Sequence, residues 1–208
     1  MRELKIAVFA SGRGSNLAAL MAAIETSQLH AQIVLVVSNK ADAGALEIAR
    51  SRGTPALHIS SAMFPSSSEF DDALLAQLQR HQVEVIALSG YLKKISTAIV
   101  RAYKNRIVNI HPALLPAFGG KGMYGIKVHQ AVLDYGCKVT GVTVHFVDDG
   151  YDSGAPILQR CVPVHHDDTP ETLAARVLEM EHKTYAEALQ LFAEERIELV
   201  GRTVRIKP

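Results

Sequence analysis

Short apolar runs alternate with longer amphipathic stretches along most of the chain, and this alternation predicts its elements. Residues 4–10, 33–38, 56–59 and 83–88 are apolar, largely β-branched runs of strand length. Between the first two, Leu17, Leu20, Met21 and Ile24 recur at spacings of three and four and predict a helix. Helices are also expected over 43–50 and 69–81, the latter capped by Ser67 or Ser68. Strands separated by helices imply a parallel sheet covered by helices on both faces. A helix over 95–103 leads into a strand at 107–109, and a further helix is expected over 126–135. Strands over 139–147 and 155–164 follow without a helix between them, which predicts an antiparallel edge on an otherwise parallel sheet. Thr169-Pro170-Glu171 supplies a capping hydroxyl, a proline at the first helical position and an acid in the first turn. The long helix it opens carries Leu173, Val177, Met180, Thr184, Ala188 and Leu191 on one stripe, read as core. The tail alternates over 199–207 and predicts a last strand. Without repeats, linkers or low-complexity tracts, the expectation is one α/β, Rossmann-like domain over 1–208.

Composition narrows the class. The chain has 208 residues, 48% of them hydrophobic, and a formal net charge of +1. That is enough apolar material for a sizeable core, and it excludes a disordered chain. Near-neutrality offers no global electrostatic case for nucleic acid or an anionic membrane. Cys137 and Cys161 have no metal-ligand or CxxC spacing and are expected to be reduced thiols, with a disulfide the lesser alternative. No apolar run approaches the ~20 residues of a membrane span, and the N-terminal stretch lacks signal-peptide patterning, so a cytoplasmic protein is expected.

The polar residues that carry chemistry sit at the ends of predicted strands, where ligands of open α/β sheets bind. After the first strand, Ser11-Gly12-Arg13-Gly14-Ser15-Asn16 opens a helix. Glycines there let a backbone approach a phosphate, and the helix start presents free N–H groups. The spacing is neither GxGxxG nor a Walker A loop, and an ordinary tight turn is the alternative reading. Asn109-Ile110-His111-Pro112 ends another strand, because Pro112 lacks an N–H and biases His111 towards an extended conformation. Asn109 and His111, two apart, then share a strand face. The run from Thr140 to Phe146 leads into an acidic turn containing Asp148, Asp149 and Asp152. Asn109, His111 and Asp152 together are the groups that stabilise an oxyanion and move a proton. A carboxylate beside His111 is expected to raise its pKa. No serine or cysteine occupies an obvious nucleophile turn, which favours direct transfer over a covalent intermediate. The three aspartates are also candidates for a hard cation, but the run lacks the ligand alternation of an EF-hand, and no metal is expected. His145 is read as a packing or supporting residue, and His165-His166-Asp167-Asp168 as a solvated turn. The glycine-rich stretch 117–125 has the composition of an active-site flap.

With these segments in order, the chain resembles the folate-dependent phosphoribosylglycinamide formyltransferases, from about Lys5 to Glu195. The resemblance rests on Asn109-Ile110-His111-Pro112-Ala113-Leu114-Leu115-Pro116 and on the run from His145 to Gly154. Ser11-Gly12-Arg13-Gly14-Ser15-Asn16-Leu17 and Val37-Ser38-Asn39-Lys40 carry it further. It implies a formyltransferase fold and formyl transfer from 10-formyltetrahydrofolate to the glycyl amine of 5'-phosphoribosylglycinamide. It assigns Gly14, Ser15 and Asn16 to the substrate phosphate and Glu181 to the same substrate. It assigns Leu92, Lys93, Ile95 and Asn109 to the folate, Asn109 and His111 to stabilising the oxyanion, and Asp152 to orienting His111 and relaying the proton through water. The implied partners are small molecules, with no nucleic acid and no membrane, in a monomer or homodimer. Two family arginines near the folate are replaced, by Ser67 and Lys93. Related transferases acting on tRNA and folate deformylases are expected to carry additional domains. A dinucleotide-dependent dehydrogenase would need an acid after the second strand, where Ser38-Asn39-Lys40 stands.

Overall fold

The computed structural model describes residues 3–208, which divide into two compact units, one ending at Val108 and the other running from Asn109 to Pro208. The first unit is built on β1 (Leu4–Phe9), β2 (Ala31–Ser38), β3 (Ala56–His58) and β4 (Val85–Leu88). Strand β1 pairs in parallel with β2 and β4, and β2 pairs in parallel with β3. The centre of β1 reads as a continuous apolar run because it has no exposed face: Ile6 to Ala10 are all completely buried. Helices α1 (Ser15–Glu25), α2 (Gly44–Ser51), α3 (Ser67–Arg80) and α4 (Thr97–Ala102) connect these strands or follow them.

The cap of α3 is Ser66, one residue earlier than expected. The competition among three consecutive serines is decided by Glu69. Only Ser66 stands three residues before it, so the Ser66 hydroxyl can accept from the Glu69 N–H at 3.2 Å and meet the Glu69 carboxylate at 3.0 Å. A short 3-10 turn, Ser61–Met63, precedes this cap without a clear hydrophobic signal.

The second unit contains most of β5 (Ile107–His111), then α5 (Ile126–Asp134), β6 (Val139–Phe146), β7 (Pro156–Pro163) and α6 (Pro170–Ala193). Strands β6 and β7 are antiparallel, with an irregularity between Val144 and His145. Val132, Val142, Val162, Leu173 and Val177 form a core cluster where α5 and α6 cover β6 and β7. All of the stripe on α6 is buried except Met180, which is partly buried, and Glu181 and Tyr185 are buried with it. Thr169 and Thr172 exchange side-chain-to-backbone bonds at the start of α6, with Pro170 at its first position.

Two expectations are corrected in this unit. The tail is a hairpin, β8 (Ile197–Val200) and β9 (Thr203–Ile206), because Gly201 adopts φ +61° and reverses the chain in a two-residue turn. The turn before α6 is not uniformly solvated. His166 and Asp167 are exposed, but the Asp168 carboxylate is buried in a two-pronged contact with Arg176 at 2.7 Å and 2.7 Å. Arg176 lies two helical turns beyond Asp168, on a face that brings its guanidinium back over the helix start.

The seven main strands form one mostly parallel sheet in the order β3-β2-β1-β4-β5-β6-β7, with β7 as its antiparallel edge, and β8-β9 stand as a separate two-stranded sheet. Among the described residues, no helix is long and apolar enough to cross a membrane.

Candidate active site

Strand β5 ends at His111, as Pro112 requires, and delivers Asn109 half-buried and His111 buried. Strand β6 delivers His145, also buried, one residue before its end. The loop after β6 delivers Asp152, a non-glycine residue held at φ +52°. These four side chains form one cluster. The Asn109 amide nitrogen lies 3.1 Å from His145 Nε2 and 3.5 Å from Asp152 Oδ1. The Asp152 carboxylate lies 3.7 Å from His111 Nδ1 through one oxygen and 3.7 Å from His145 Nε2 through the other.

Backbone carbonyls assign the imidazole protons. His145 Nδ1 meets the Phe146 carbonyl at 2.7 Å, so the proton sits on Nδ1 and Nε2 accepts from Asn109. His111 Nε2 meets the Phe118 carbonyl at 2.8 Å and donates to it. This leaves His111 Nδ1 facing Asp152, the position at which an incoming proton would be held between ring and carboxylate.

The electrostatics differ from expectation at His111. Burial pushes its pKa below the usual 6.5 and outweighs the opposing pull of the Asp152 carboxylate. Proximity to a carboxylate was legible in the sequence, but the depth at which the ring is buried was not. Asp152 moves the other way. Burial raises its pKa, but the His145 ring when protonated on Nε2, the Gly120 N–H, and His111 when protonated hold it below the ordinary carboxylate value. The resting arrangement is therefore an ionised carboxylate beside a neutral His111.

The 117–125 stretch enters this cluster through its backbone. Phe118 presents its carbonyl to His111, and the Gly120 N–H donates to Asp152 Oδ2 at 2.9 Å. Gly119 is packed so closely that a Cβ there would collide with Leu115 and come within 3.3 Å of Asp152 Cβ. Thr143 steadies the segment that follows His111. Its hydroxyl donates to the Ala113 carbonyl at 2.7 Å and accepts from the Leu115 N–H and Gln159, each at 3.0 Å. His145 was expected as a packing or supporting residue and 117–125 as a flap, but the bonds of His145 to Asn109 and of the Phe118 and Gly120 backbone to His111 and Asp152 were not read from the sequence. For His145, strand alternation predicts only that the side chain points inward, and backbone groups leave no mark in side-chain identity.

In the first unit, Gly14 takes φ +84° and caps α1 without a side chain, with Ser15 exposed and Asn16 buried at the helix start. A Cβ on Gly14 would lie 2.9 Å from Ala45 Cα, so glycine is required by both conformation and the close approach of α2. Gly44 is the reciprocal contact, with Arg13 O 3.0 Å from where its Cβ would stand. The Ser11 hydroxyl donates to Asn39 Oδ1 at 2.5 Å and accepts from the Leu92 N–H at 2.9 Å. That bond occupies the Leu92 N–H, while the Leu92 side chain and Lys93 are exposed and Ile95 is buried. In the second unit, Glu181 is buried on α6. Ser67 is exposed in the first turn of α3. Among the described residues, no group of three or more His, Cys, Asp or Glu side chains is arranged to hold a metal ion. Of the three aspartates considered for that role, Asp148 instead binds the Ser153 hydroxyl at 2.5 Å and the Gly150 N–H at 2.9 Å. Both cysteines are free thiols.

The family model described as formyl transferase matches residues 4–189. The chain is 47% identical over 197 residues to a protein of Arabidopsis thaliana named phosphoribosylglycinamide formyltransferase, chloroplastic, and this covers 94% of the chain and 68% of the relative. It is 37% identical over 186 residues to the phosphoribosylglycinamide formyltransferase of Bacillus subtilis, covering 89% of the chain and 93% of the relative. Its fold is similar to the crystal structure of glycinamide ribonucleotide transformylase 1 from Symbiobacterium toebii, with a TM-score of 0.92 and 43% identity over 99% of this chain and 95% of that one.

Proposed function

The chain belongs to the formyl transferase family, and we propose that it transfers the formyl group of 10-formyltetrahydrofolate to the glycyl amine of 5'-phosphoribosylglycinamide in purine biosynthesis. The single observation that carries this reading is the bonded cluster of Asn109, His111, His145 and Asp152. It offers an amide, two imidazoles and a carboxylate, which are hydrogen-bonding and proton-moving groups. The names of the Arabidopsis, Bacillus and Symbiobacterium proteins support the same substrate.

The amine attacks the formyl carbon and a C–N bond forms, giving a tetrahedral carbon that bears an oxyanion. Asn109 donates to that oxygen through the amide proton it now gives loosely to Asp152 at 3.5 Å. The tighter bond to His145 keeps the amide oriented. The attacking nitrogen carries an excess proton, which neutral His111 accepts on Nδ1, where Asp152 stabilises the imidazolium. The oxyanion then collapses to the new formyl carbonyl, the bond between that carbon and N10 of the folate breaks, and the proton held by His111 is relayed through water to N10, which returns His111 to its neutral form. Nothing becomes covalently attached to the protein. Gly14, Ser15 and Asn16 hold the substrate phosphate, using a helix start that favours negative charge. Glu181 contacts the same substrate, and Leu92, Lys93 and Ile95 line the folate site. Because the Leu92 N–H is already bonded to Ser11, its contribution is made by the side chain or the carbonyl. The cytoplasm is the proposed compartment, supported by the two unbridged cysteines.

The test is a steady-state assay with both substrates, following folate absorbance, beside Asn109→Ala and a control without acceptor. Acceptor-dependent turnover that collapses in the variant is expected. Acceptor-independent release of tetrahydrofolate would instead identify a deformylase.

A further inference from the structure

Asp152 sits in a loop that has little regular structure to hold it, yet its backbone is confined to the left-handed region at φ +52°. That region is sparsely populated by non-glycine residues, though aspartate enters it more readily than most, and contacts around the loop help hold it there. From one side these contacts are visible. The Gly120 N–H binds the carboxylate itself. Within the loop, Asp148 binds the Gly150 N–H and the Ser153 hydroxyl. Gly154 turns so tightly against β6 that a Cβ would collide with the Phe146 carbonyl oxygen.

Another tie comes from far along the sequence. Arg202, at the tip of the β8-β9 hairpin, donates from Nη2 to the Ser153 carbonyl at 2.9 Å. Ser153 is the residue directly after Asp152, so its carbonyl reports the orientation of the loop immediately beyond the carboxylate. The hairpin is itself a firm support. Gly201 at φ +61° sets the turn, Val200 pairs with Thr203, and the base is closed by bonds between Arg196 and Lys207 in both directions at 2.7 Å and 2.8 Å. A planar guanidinium on a rigid turn fixes the direction of a carbonyl better than a flexible ammonium does.

We propose that Arg202 is a positioning residue for catalysis: the C-terminal hairpin uses its guanidinium to hold the Ser153 carbonyl, and so keeps Asp152 aligned with His111 and Asn109. The inference rests on the proposed formyl transfer and on the role given there to Asp152. Arg202 touches neither the cluster nor the reacting atoms, and it acts through the loop alone.

The experiment compares wild type, Arg202→Ala, Arg202→Lys and, as a control on the same hairpin, Arg205→Ala, each assayed with both substrates across pH. Displacing a catalytic group by a fraction of an ångström lowers turnover without weakening substrate binding. Arg202→Ala is expected to lower kcat by roughly three- to tenfold, given the modest size of one exposed charge-assisted bond. KM for the amine substrate stays unchanged, and the acidic limb of the profile moves to lower pH as His111 loses part of the Asp152 field. Arg202→Lys recovers part of kcat, millimolar guanidinium partly rescues Arg202→Ala, and Arg205→Ala behaves as wild type. A wild-type kcat and pH profile in Arg202→Ala overturns the inference while leaving the proposed reaction standing. Equal losses in Arg202→Ala and Arg205→Ala, with no guanidinium rescue, overturn it in favour of a general effect of hairpin charge. Absence of turnover in the wild type overturns the proposed reaction, and the inference with it.

Discussion

The Asn109 amide has two protons and, during the proposed reaction, three partners: His145, Asp152 and the oxyanion. The distances rank them, since 3.1 Å to His145 is a bond and 3.5 Å to Asp152 is barely one. The second proton is the one available to the developing charge. Asn109→Ala should therefore lose about 2.7–4 kcal/mol of transition-state stabilisation, the amount typical of one oxyanion donor. Turnover within a few-fold of wild type would remove Asn109 from that role. His111 supplies a second prediction, in pH. Its folded pKa lies below 6.5, so activity that needs the neutral ring declines as pH falls through that lowered value. The same shift bears on stability. Between the lowered value and 6.5 the unfolded chain binds more protons than the folded one, so the His111 contribution is intact above pH 6.5 and lost as pH falls below it. Asp152 raises the His111 pKa, so Asp152→Asn should cut turnover sharply and move the residual acidic limb to still lower pH. An unmoved limb would separate the two residues. At this scale Asn109, His111 and Asp152 were legible because a strand-ending proline and an acidic turn bracket them. His145 was not, because an inward-facing histidine looks the same whether it packs or bonds.

Elements were most legible where periodicity ran long, and least where one residue decided a boundary. The stripe on α6 predicted its buried face, but not that Glu181 would be buried with it. The cap of α3 required choosing among identical serines, and the tail required seeing that Gly201 breaks an alternation that otherwise reads as one strand. At the start of α6, Asp168 receives both prongs of Arg176, which also binds the Pro163 carbonyl at 3.0 Å and so joins the helix to the end of β7. Arg176 drives the Asp168 carboxyl well below its ordinary 3.8. A depressed carboxylate contributes stability above its unfolded pKa and loses it as pH falls through the folded one. Asp168→Asn should lower Tm at pH 7, and the gap from wild type should narrow as pH drops below about 3.8. A gap independent of pH would show that packing, rather than charge, is lost. Thr143 is the corresponding device on β6, beneath the segment that follows His111. Thr143→Val keeps the shape but leaves the Leu115 N–H and the Ala113 carbonyl without that partner in a fully buried place, at a cost of about 1–3 kcal/mol. Urea denaturation measures it, and a loss under about 0.5 kcal/mol would mean that the segment relaxes onto other partners.

At the scale of the whole molecule, the alternation of strands and helices made the parallel sheet and its antiparallel edge readable before any coordinate was known. Near-neutral charge directed attention away from nucleic acid, and the first glycine loop pointed to a small anionic ligand held locally. Local holding has a global consequence, because a ligand that binds only the folded chain stabilises all of it. At about 100 times its dissociation constant, phosphoribosylglycinamide should add about 2.7 kcal/mol, and for a chain of this size that raises Tm by roughly 5–11 °C. The loop glycines suggested a phosphate cradle, whereas the packing that forces glycine at position 14 was hidden, since Ala45 approaches it from another helix. Asn16 discriminates between the proposed sites. In Asn16→Ala the shift given by phosphoribosylglycinamide should shrink by more than half, while the shift given by the folate persists. Loss of both shifts would mean that Asn16 supports the fold and does not select a ligand. Retention of both would move the phosphate away from the first glycine loop, and the assignment of Gly14, Ser15 and Asn16 would fall together.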